Sequence, residues 1–188
     1  MRLLDDVGLP DLTMRRLAGA LDVQPSALYH HFPNKQALLA ELADRIVAER
    51  GAAVETGDWA TDVRAAAGAL RDGLLAYRDG AEIVMSTLSM GLGADAATEH
   101  LAAAIGGGGF DEPLAHRAAV TLLHFVLGHV SHEQQRLQFD SLGVVADGAG
   151  ADASADAFWF GVDLLVDGLW ARLPARPAGG AARTPAVA

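Results

Sequence analysis

The sequence predicts an all-α protein, with a small N-terminal module of short helices followed by a larger helical bundle. Three observations predict it. Apolar residues recur at i, i+3, i+4 and i+7, the spacing of one buried helix face. No stretch alternates with the period of two that a half-buried strand requires. Glycine, proline and Asp-Gly breaks cut the periodic runs into pieces of helical length.

Taken in order, residues 1–7 read as the end of a helix that Gly8-Leu9-Pro10 interrupts. Thr13 is placed to cap a short helix in which Met14, Leu17, Ala18 and Leu21 form one buried face. Asp22-Val23 turns the chain, and Pro25-Ser26 opens a second short helix that Phe32-Pro33-Asn34 ends. A longer helix starts near Lys35, with Leu38, Leu42 and Ile46 in one stripe and Leu39, Ala43 and Val47 beside it. Helices follow over residues 59–78, 81–90 and 95–105, the last ended by the glycines at 106–109. Residues 111–137 form a long helix, begun by Asp111 and Glu112 at its positive end. Its middle, 120–130, is apolar on nearly all sides and is expected to be buried. Residues 139–153 read as a flexible loop, and a last helix begins at Ser154 or Asp156. About nine helices result, divided into a module over 1–50, a bundle over 51–173 and a disordered Pro/Ala/Gly tail over 174–188.

The chain has 188 residues and a formal net charge of −10, which argues against contact with nucleic acid over the whole surface. The first fifty residues carry six basic and seven acidic side chains, so the acidic excess lies outside them. Absence of cysteine excludes disulfides and thiolate metal sites. No apolar run reaches the length of a membrane span and no basic-then-apolar leader is present, so a soluble, cytoplasmic protein is expected.

Two short helices joined by a tight turn and backed by a third meet the physical requirement of a helix-turn-helix, in which the second helix enters the DNA major groove. Leu17, Ala18 and Leu28 would pack between the two, leaving Ser26, Ala27, Tyr29, His30 and His31 to face outward. Here the chain resembles a known family. The run LTMRRLAGALDVQPSALYHHFPNKQALL (residues 12–39) is similar to the DNA-binding domain of the tetracycline repressor (TetR) family. The pattern LAxxLxVxxxxLYxHFxNKxxLL is carried by Leu17, Ala18, Leu21, Val23, Leu28, Tyr29, His31, Phe32, Asn34, Lys35, Leu38 and Leu39. Weaker similarity to the family's C-terminal domain lies in LLAYRDGAEIV (74–84) and HFVLGHVSHEQQ (124–135).

The resemblance implies roles. Thr13 and Arg15 would touch phosphates or base edges from the bracing helix, and Pro25, Ser26 and Ala27 would approach bases. Tyr29, His31 and Lys35 would hold phosphates, and His30 would do either. Base readout would lean on His30, Gln24, Arg15 and thymine-methyl contacts from Ala27 and Pro25. It also implies a longer first helix than residues 1–7 supply, so the module is expected to have an incomplete one. The tetracycline-chelating histidine of the family is replaced by Val84, and the second drug-contacting histidine, near Arg50 and Gly51, is absent; tetracycline is not the expected ligand. The implied function is a ligand-responsive regulator, most simply a repressor that releases its double-stranded operator DNA on binding a small molecule. The alternative is a binding or interaction protein of the same fold with lost or weak DNA binding.

For the bundle, Trp59, Met85, Leu88, Met90, Leu101, Leu122, His124, Phe125 and His129 are candidates to line a pocket for a mostly hydrophobic effector, although core packing is the commoner role of any one residue at such helical spacing. His129, His132 and Glu133 share one helix face and could form part of a metal site, or polar contacts at a pocket or interface; no metal and no cofactor is expected. The long helix and the last helix read as a homodimer surface, with Phe158, Val162, Leu165 and Leu169 as its seam. No nucleophile elbow, phosphate loop or complete metal set is present, so the chain is not read as an enzyme.

Overall fold

A computed structural model describes residues 2–48, 56–141 and 151–173. Among them are nine helices: α1 (Arg2–Asp11), α2 (Met14–Ala20), α3 (Pro25–His31), α4 (Lys35–Ala48), α5 (Trp59–Leu75), α6 (Gly80–Ser89), α7 (Asp95–Gly106), α8 (Glu112–Ser141) and α9 (Ala151–Trp170). The all-α expectation holds. The expected tail, most of the 139–153 loop, Arg50 and Gly51 lie outside the described residues.

Local chemistry accounts for most helix starts. Thr13 Oγ1 accepts from the Arg16 N–H at 3.1 Å, and Asn34 Oδ1 accepts from Ala37 N–H at 2.8 Å. Asp58 and Asp111 cap α5 and α8 in the same way, through Thr61 and Leu114. Asp111 is thus the cap of the long helix, not its first residue. Pro25 occupies the first turn of α3, where its missing N–H has no intrahelical role. Gly8 adopts φ +74°, ψ 166°, a conformation that breaks α1 into two pieces; the chain becomes helical again on its far side.

Several boundaries depend on contacts remote in sequence. α5 stops at Leu75 rather than at residue 78 because Gln134, on α8, brackets the turn. Its Nε2 donates to the carbonyls of Leu74 and Tyr77, and its Oε1 accepts from Ala81 N–H. α8 continues past Leu137 to Ser141, and Gln138 on this added turn donates to Asp79 Oδ1 at 2.6 Å. α9 begins three residues earlier than Ser154.

The buried side chains fall into two clusters. The smaller joins Met14, Ala18, Leu28 and Leu38, with Leu17, Phe32 and Leu42 packed against it. The larger runs through α5–α9 and also takes in Leu4, Leu9 and Leu12 near the N-terminus and Leu39, Ala43, Ile46 and Val47 of α4. α4 therefore belongs to both: Leu38 goes to the small core and its neighbour Leu39 to the large one. Gly73 lets α5 approach it closely, since a Cβ there would stand 2.9 Å from the Ile46 carbonyl oxygen.

Three burial expectations are corrected. Leu21 is 56% exposed, because α2 ends at Ala20 and Leu21 is its cap rather than part of its inner face. The middle of α8 is buried on one side only; Leu122, Leu123, Val126 and Leu127 are inside, while Thr121, His124 and Gly128 face out. The stripe expected to form the dimer seam turns inward: Phe158 and Val162 are inaccessible, Leu169 is buried and Leu165 is half-buried within the protomer. Gly161 permits this, since a Cβ there would lie within 2.2 Å of the Phe125 ring.

Candidate nucleic-acid interface and effector cleft

The α2–turn–α3 unit is set by a few backbone and packing constraints. Val23 N–H donates to the Ala18 carbonyl at 3.0 Å, closing a turn in which Asp22 takes φ +53°. Aspartate tolerates this left-handed conformation better than most residues. Leu28 is the one buried side chain of α3. With Leu28 pointing in, Ser26, Tyr29, His30 and His31 are exposed and Pro25 and Ala27 are half-buried, all on a helix seven residues long. Gln24 is exposed at the N-terminal end of α3, and its side chain makes no capping bond. Arg15 is exposed and makes no ion pair among the described residues. Thr13 has its hydroxyl in the α2 cap. Arg16 reaches Asp11 at 3.8 Å, an exposed pair of little energetic weight.

Lys35 is half-buried, and its Nζ donates to the Leu9 carbonyl at 3.2 Å. An ammonium has three donors, so this bond leaves two for an anion. It also ties the start of α4 to the second piece of α1. The same segment is gripped from the other side: Leu9 N–H donates to Asp79 Oδ2 at 2.7 Å, and Arg78 N–H donates to Asp5. Asp79 is buried at the α5–α6 turn with φ +58° and also accepts from Gln138 of α8. A chain of hydrogen bonds thus runs from the bundle through Asp79 into α1. Sequence reading missed Asp79 and Asn34 as positioning residues. Asn34 carried a local signal, an amide immediately before the first residue of α4, three residues from the N–H it caps. Asp79 carried none, because its partners are 70 and 59 residues away.

The nine residues expected around an effector lie in different places. Trp59 packs edge-on against Phe110 and against Trp170, and Leu101 is buried in the core. Met85, Met90 and His124 are exposed and Leu88 is half-buried. Phe125 and His129 stack around Phe158. Leu122 alone of the nine lines a cleft of about 270 Å³ that opens between α5, α7, α8 and α9.

The histidine-rich helix does not gather a metal set. His129 Nε2 lies 3.0 Å from the Ser154 carbonyl oxygen, His132 is exposed, and Glu133 is taken by Arg71, whose Nη2 reaches its two oxygens at 2.7 and 2.9 Å. The Arg71 guanidinium also sits 5.2 Å over the Phe158 ring, joining α5, α8 and α9. No group of three metal-ligating side chains comes together among the described residues. No helix among them is long and apolar enough to cross a membrane.

Comparisons with known proteins agree with this layout. Residues 1–42 match the family model for bacterial regulatory proteins of the tetR family, and residues 52–143 match the tetracyclin repressor-like C-terminal domain. The tetracycline repressor protein class A from transposon 1721 of Escherichia coli is 36% identical over 187 residues, spanning 89% of this chain and 85% of that protein. The crystal structure of BioQ with its double-stranded DNA operator superposes with a TM-score of 0.72 at 40% identity, covering 89% of this chain and 91% of that one. A TetR variant from Acinetobacter baumannii in complex with minocycline superposes with a TM-score of 0.74 at 34% identity, covering 91% and 92%. This chain belongs to the tetR family of bacterial regulatory proteins.

Proposed function

We propose that the protein is a homodimeric repressor that releases its operator when a small molecule occupies the bundle. The observation that carries this reading is the division of labour along α4. One helix contributes adjacent leucines to the recognition core and to the bundle core, so a shift of α4 by the bundle displaces α3. A dimer places two copies of α3 against successive turns of a palindrome, ~34–36 Å apart. Changing that spacing by an effector needs only a few kcal/mol of differential affinity to empty the operator.

Tyr29, His30, His31, Gln24 and Arg15 are exposed where they can meet DNA, with Ser26, Pro25 and Ala27 at the leading end of α3 and Lys35 and Thr13 behind them. The exposed apolar face of α9, with Trp159, Phe160 and Leu164, supports a second copy docking there in place of the inward stripe. A role on chromosomal DNA places the protein in the cytoplasm and needs no catalysis. Val84 is fully buried among apolar neighbours, which supports a ligand other than a chelated tetracycline.

Gel-shift titration with the DNA upstream of its own gene tests the reading. Binding should weaken steeply with salt, and Tyr29→Ala with His31→Ala should weaken it further without changing helix content. No shift at low salt by a folded dimer would sink it in favour of a protein that has lost DNA binding.

A further inference from the structure

We infer that Asp79 is a positioning residue for operator binding: it holds the Leu9 backbone, and through it the Lys35 ammonium, in place for a DNA phosphate. This deepens the reading of the protein as a DNA-binding regulator and rests on it. Lys35 is the first residue of α4. An ammonium at the positive end of a helix does nothing for that helix, and Lys35 makes no ion pair among the described residues. What holds its Nζ is the Leu9 carbonyl, at 3.2 Å. That carbonyl also accepts from Leu12 N–H at 3.3 Å, so both of its lone pairs are engaged. On the other side of the same residue, Leu9 N–H donates to Asp79 Oδ2 at 2.7 Å. The order is therefore carboxylate, backbone of one buried leucine, ammonium.

Leu9 depends on an outside hold. It follows Gly8, whose φ of +74° breaks α1, so the helical turn before it does not fix its direction. Gly8 also makes room for the hold, since a Cβ there would stand 3.1 Å from Asp79 Oδ2. Asp79 is itself fixed. It is buried at the α5–α6 turn with φ +58°, and its Oδ1 accepts from Gln138 Nε2 at 2.6 Å. It has no cation partner among the described residues. A buried carboxylate without a cation is costly to the fold. Asparagine tolerates a left-handed φ as well as aspartate does, so the turn alone does not call for a carboxylate; accepting from two donors on two oxygens does. A free lysine side chain loses rotamer freedom when it grips a phosphate. Anchored in advance it loses less, and two of its three donors stay open for the anion. The bundle thus reaches the phosphate contact by a route that enters α4 at its first residue rather than along its length.

The test is a double-mutant cycle on operator binding, read as affinity and as salt slope. The probe is a duplex of the DNA upstream of the protein's own gene. Lys35→Gln should weaken binding and flatten the plot of log affinity against log salt by about 2 for the dimer, at about 0.9 for each phosphate. Asp79→Asn should weaken wild-type binding about tenfold and flatten the slope in the same direction, yet change the Lys35→Gln variant less than about twofold. Combined with Arg15→Gln, an exposed candidate contact outside this chain of bonds, its effect should add in full. An Asp79 that merely braces the fold would weaken all three backgrounds alike, and that result would overturn the inference. Lys35 is the only lysine in the chain, so isotopic labelling of lysine nitrogen gives one ζ-ammonium signal in the DNA-free protein. Its exchange with water should be several-fold faster in Asp79→Asn; equal exchange would also overturn the inference. If circular dichroism shows Asp79→Asn unfolded, Gln138→Leu, which removes only the second bond to Asp79, goes through the same cycle under the same criteria with a smaller expected loss. Failure of the DNA-binding reading has a separate signature. Wild type would not shift the duplex at low salt, or Lys35→Gln would leave affinity and slope unchanged; either result removes the phosphate, and the inference with it, even where the exchange difference persists.

Discussion

The recognition module and the effector bundle differ in how much of their order they own. The module packs α2 and α3 around Met14, Ala18 and Leu28 and closes that core with Leu38, which belongs to α4. The bundle encloses fully buried side chains from α4 through α9, including Ile46, Leu74, Ile83, Leu101, Leu127 and Phe158. A core as small as the first does not stabilise a free-standing domain. Its order comes from α4, from the Lys35 bond to the Leu9 carbonyl and from the Asp79 grip on Leu9. The least self-sufficient part of the molecule is therefore the part that touches DNA, and it is drawn from the low end of local stability. A regulator gains from this, because a module that depends on its neighbour reports its neighbour's state.

The comparison can be broken first at its two cores. Ile46→Ala and Leu28→Ala each remove a buried aliphatic side chain, a loss of about 2–5 kcal/mol. Ile46→Ala should lower the melting temperature of the whole chain. Leu28→Ala should abolish operator binding and amide protection in α2 and α3 while the main calorimetric transition stays near its wild-type temperature. A fall of that transition as large as that of Ile46→Ala would mean that the molecule has one core, not two.

The next effect should come from Gly73→Ala, which pushes α5 off the Ile46 carbonyl. Overpacking of this kind costs about 1–3 kcal/mol, against which alanine returns about 1 kcal/mol of helix propensity. A small net change in melting temperature with a clear change in effector-dependent operator release is expected. An unchanged release curve would argue that the α4–α5 crossing does not transmit.

Asp79→Asn comes third. Asp79 accepts from Leu9 N–H and from the Gln138 amide with its two oxygens, and an asparagine must present an NH₂ to one of these donors. Leaving a buried donor without an acceptor costs about 1–3 kcal/mol, and hydrogen exchange at Leu9 should quicken more than exchange in α8.

The smallest effect concerns Asp58, the exposed α5 cap. Hydrogen bonding from the Thr61 side chain holds its carboxyl below the ordinary range, with the Thr61 and Ala60 N–H groups and the Arg64 charge adding to this against some desolvation. A depressed folded-state pKa means that the cap's contribution is present above the unfolded value and fades as pH falls through the folded one. Melting curves taken from about pH 5 to about pH 3 should show less acid dependence for Asp58→Asn than for wild type. The operator affinity of the two at neutral pH should be the same.

Most of the helices were readable from sequence because their signals are local. Thr13, Pro25 and the breaks at Gly8 and Asp79-Gly80 act within a few residues of themselves. What escaped was decided by partners far along the chain. The end of α5 and the last turn of α8 depend on Gln134 and Gln138, polar residues that carry no periodic signal. The inward face of α9 is apolar on the sequence, but so is the outward one, with Phe160 and Leu164. Periodicity finds a stripe and does not say what covers it. Gly161 and Gly68 decided that by letting α9 lie against Phe125 and letting Trp159 lie on α5. The exposed residues of α3 were legible because one short helix carries them around a single buried side chain, Leu28. The cleft was not, because its lining comes from four helices.

The placement of Leu38 and Leu39 in separate cores has a consequence for how such proteins diversify. Between Thr13 and Asn34 no side chain enters the large core. That stretch can be exchanged between relatives as a cassette, with junctions at Leu12 and Lys35, provided that the incoming piece still fits over Leu38. Operator preference can thus drift or be re-engineered while the sensor stays as it is, and the sensor can acquire new ligands while its address on the chromosome is kept.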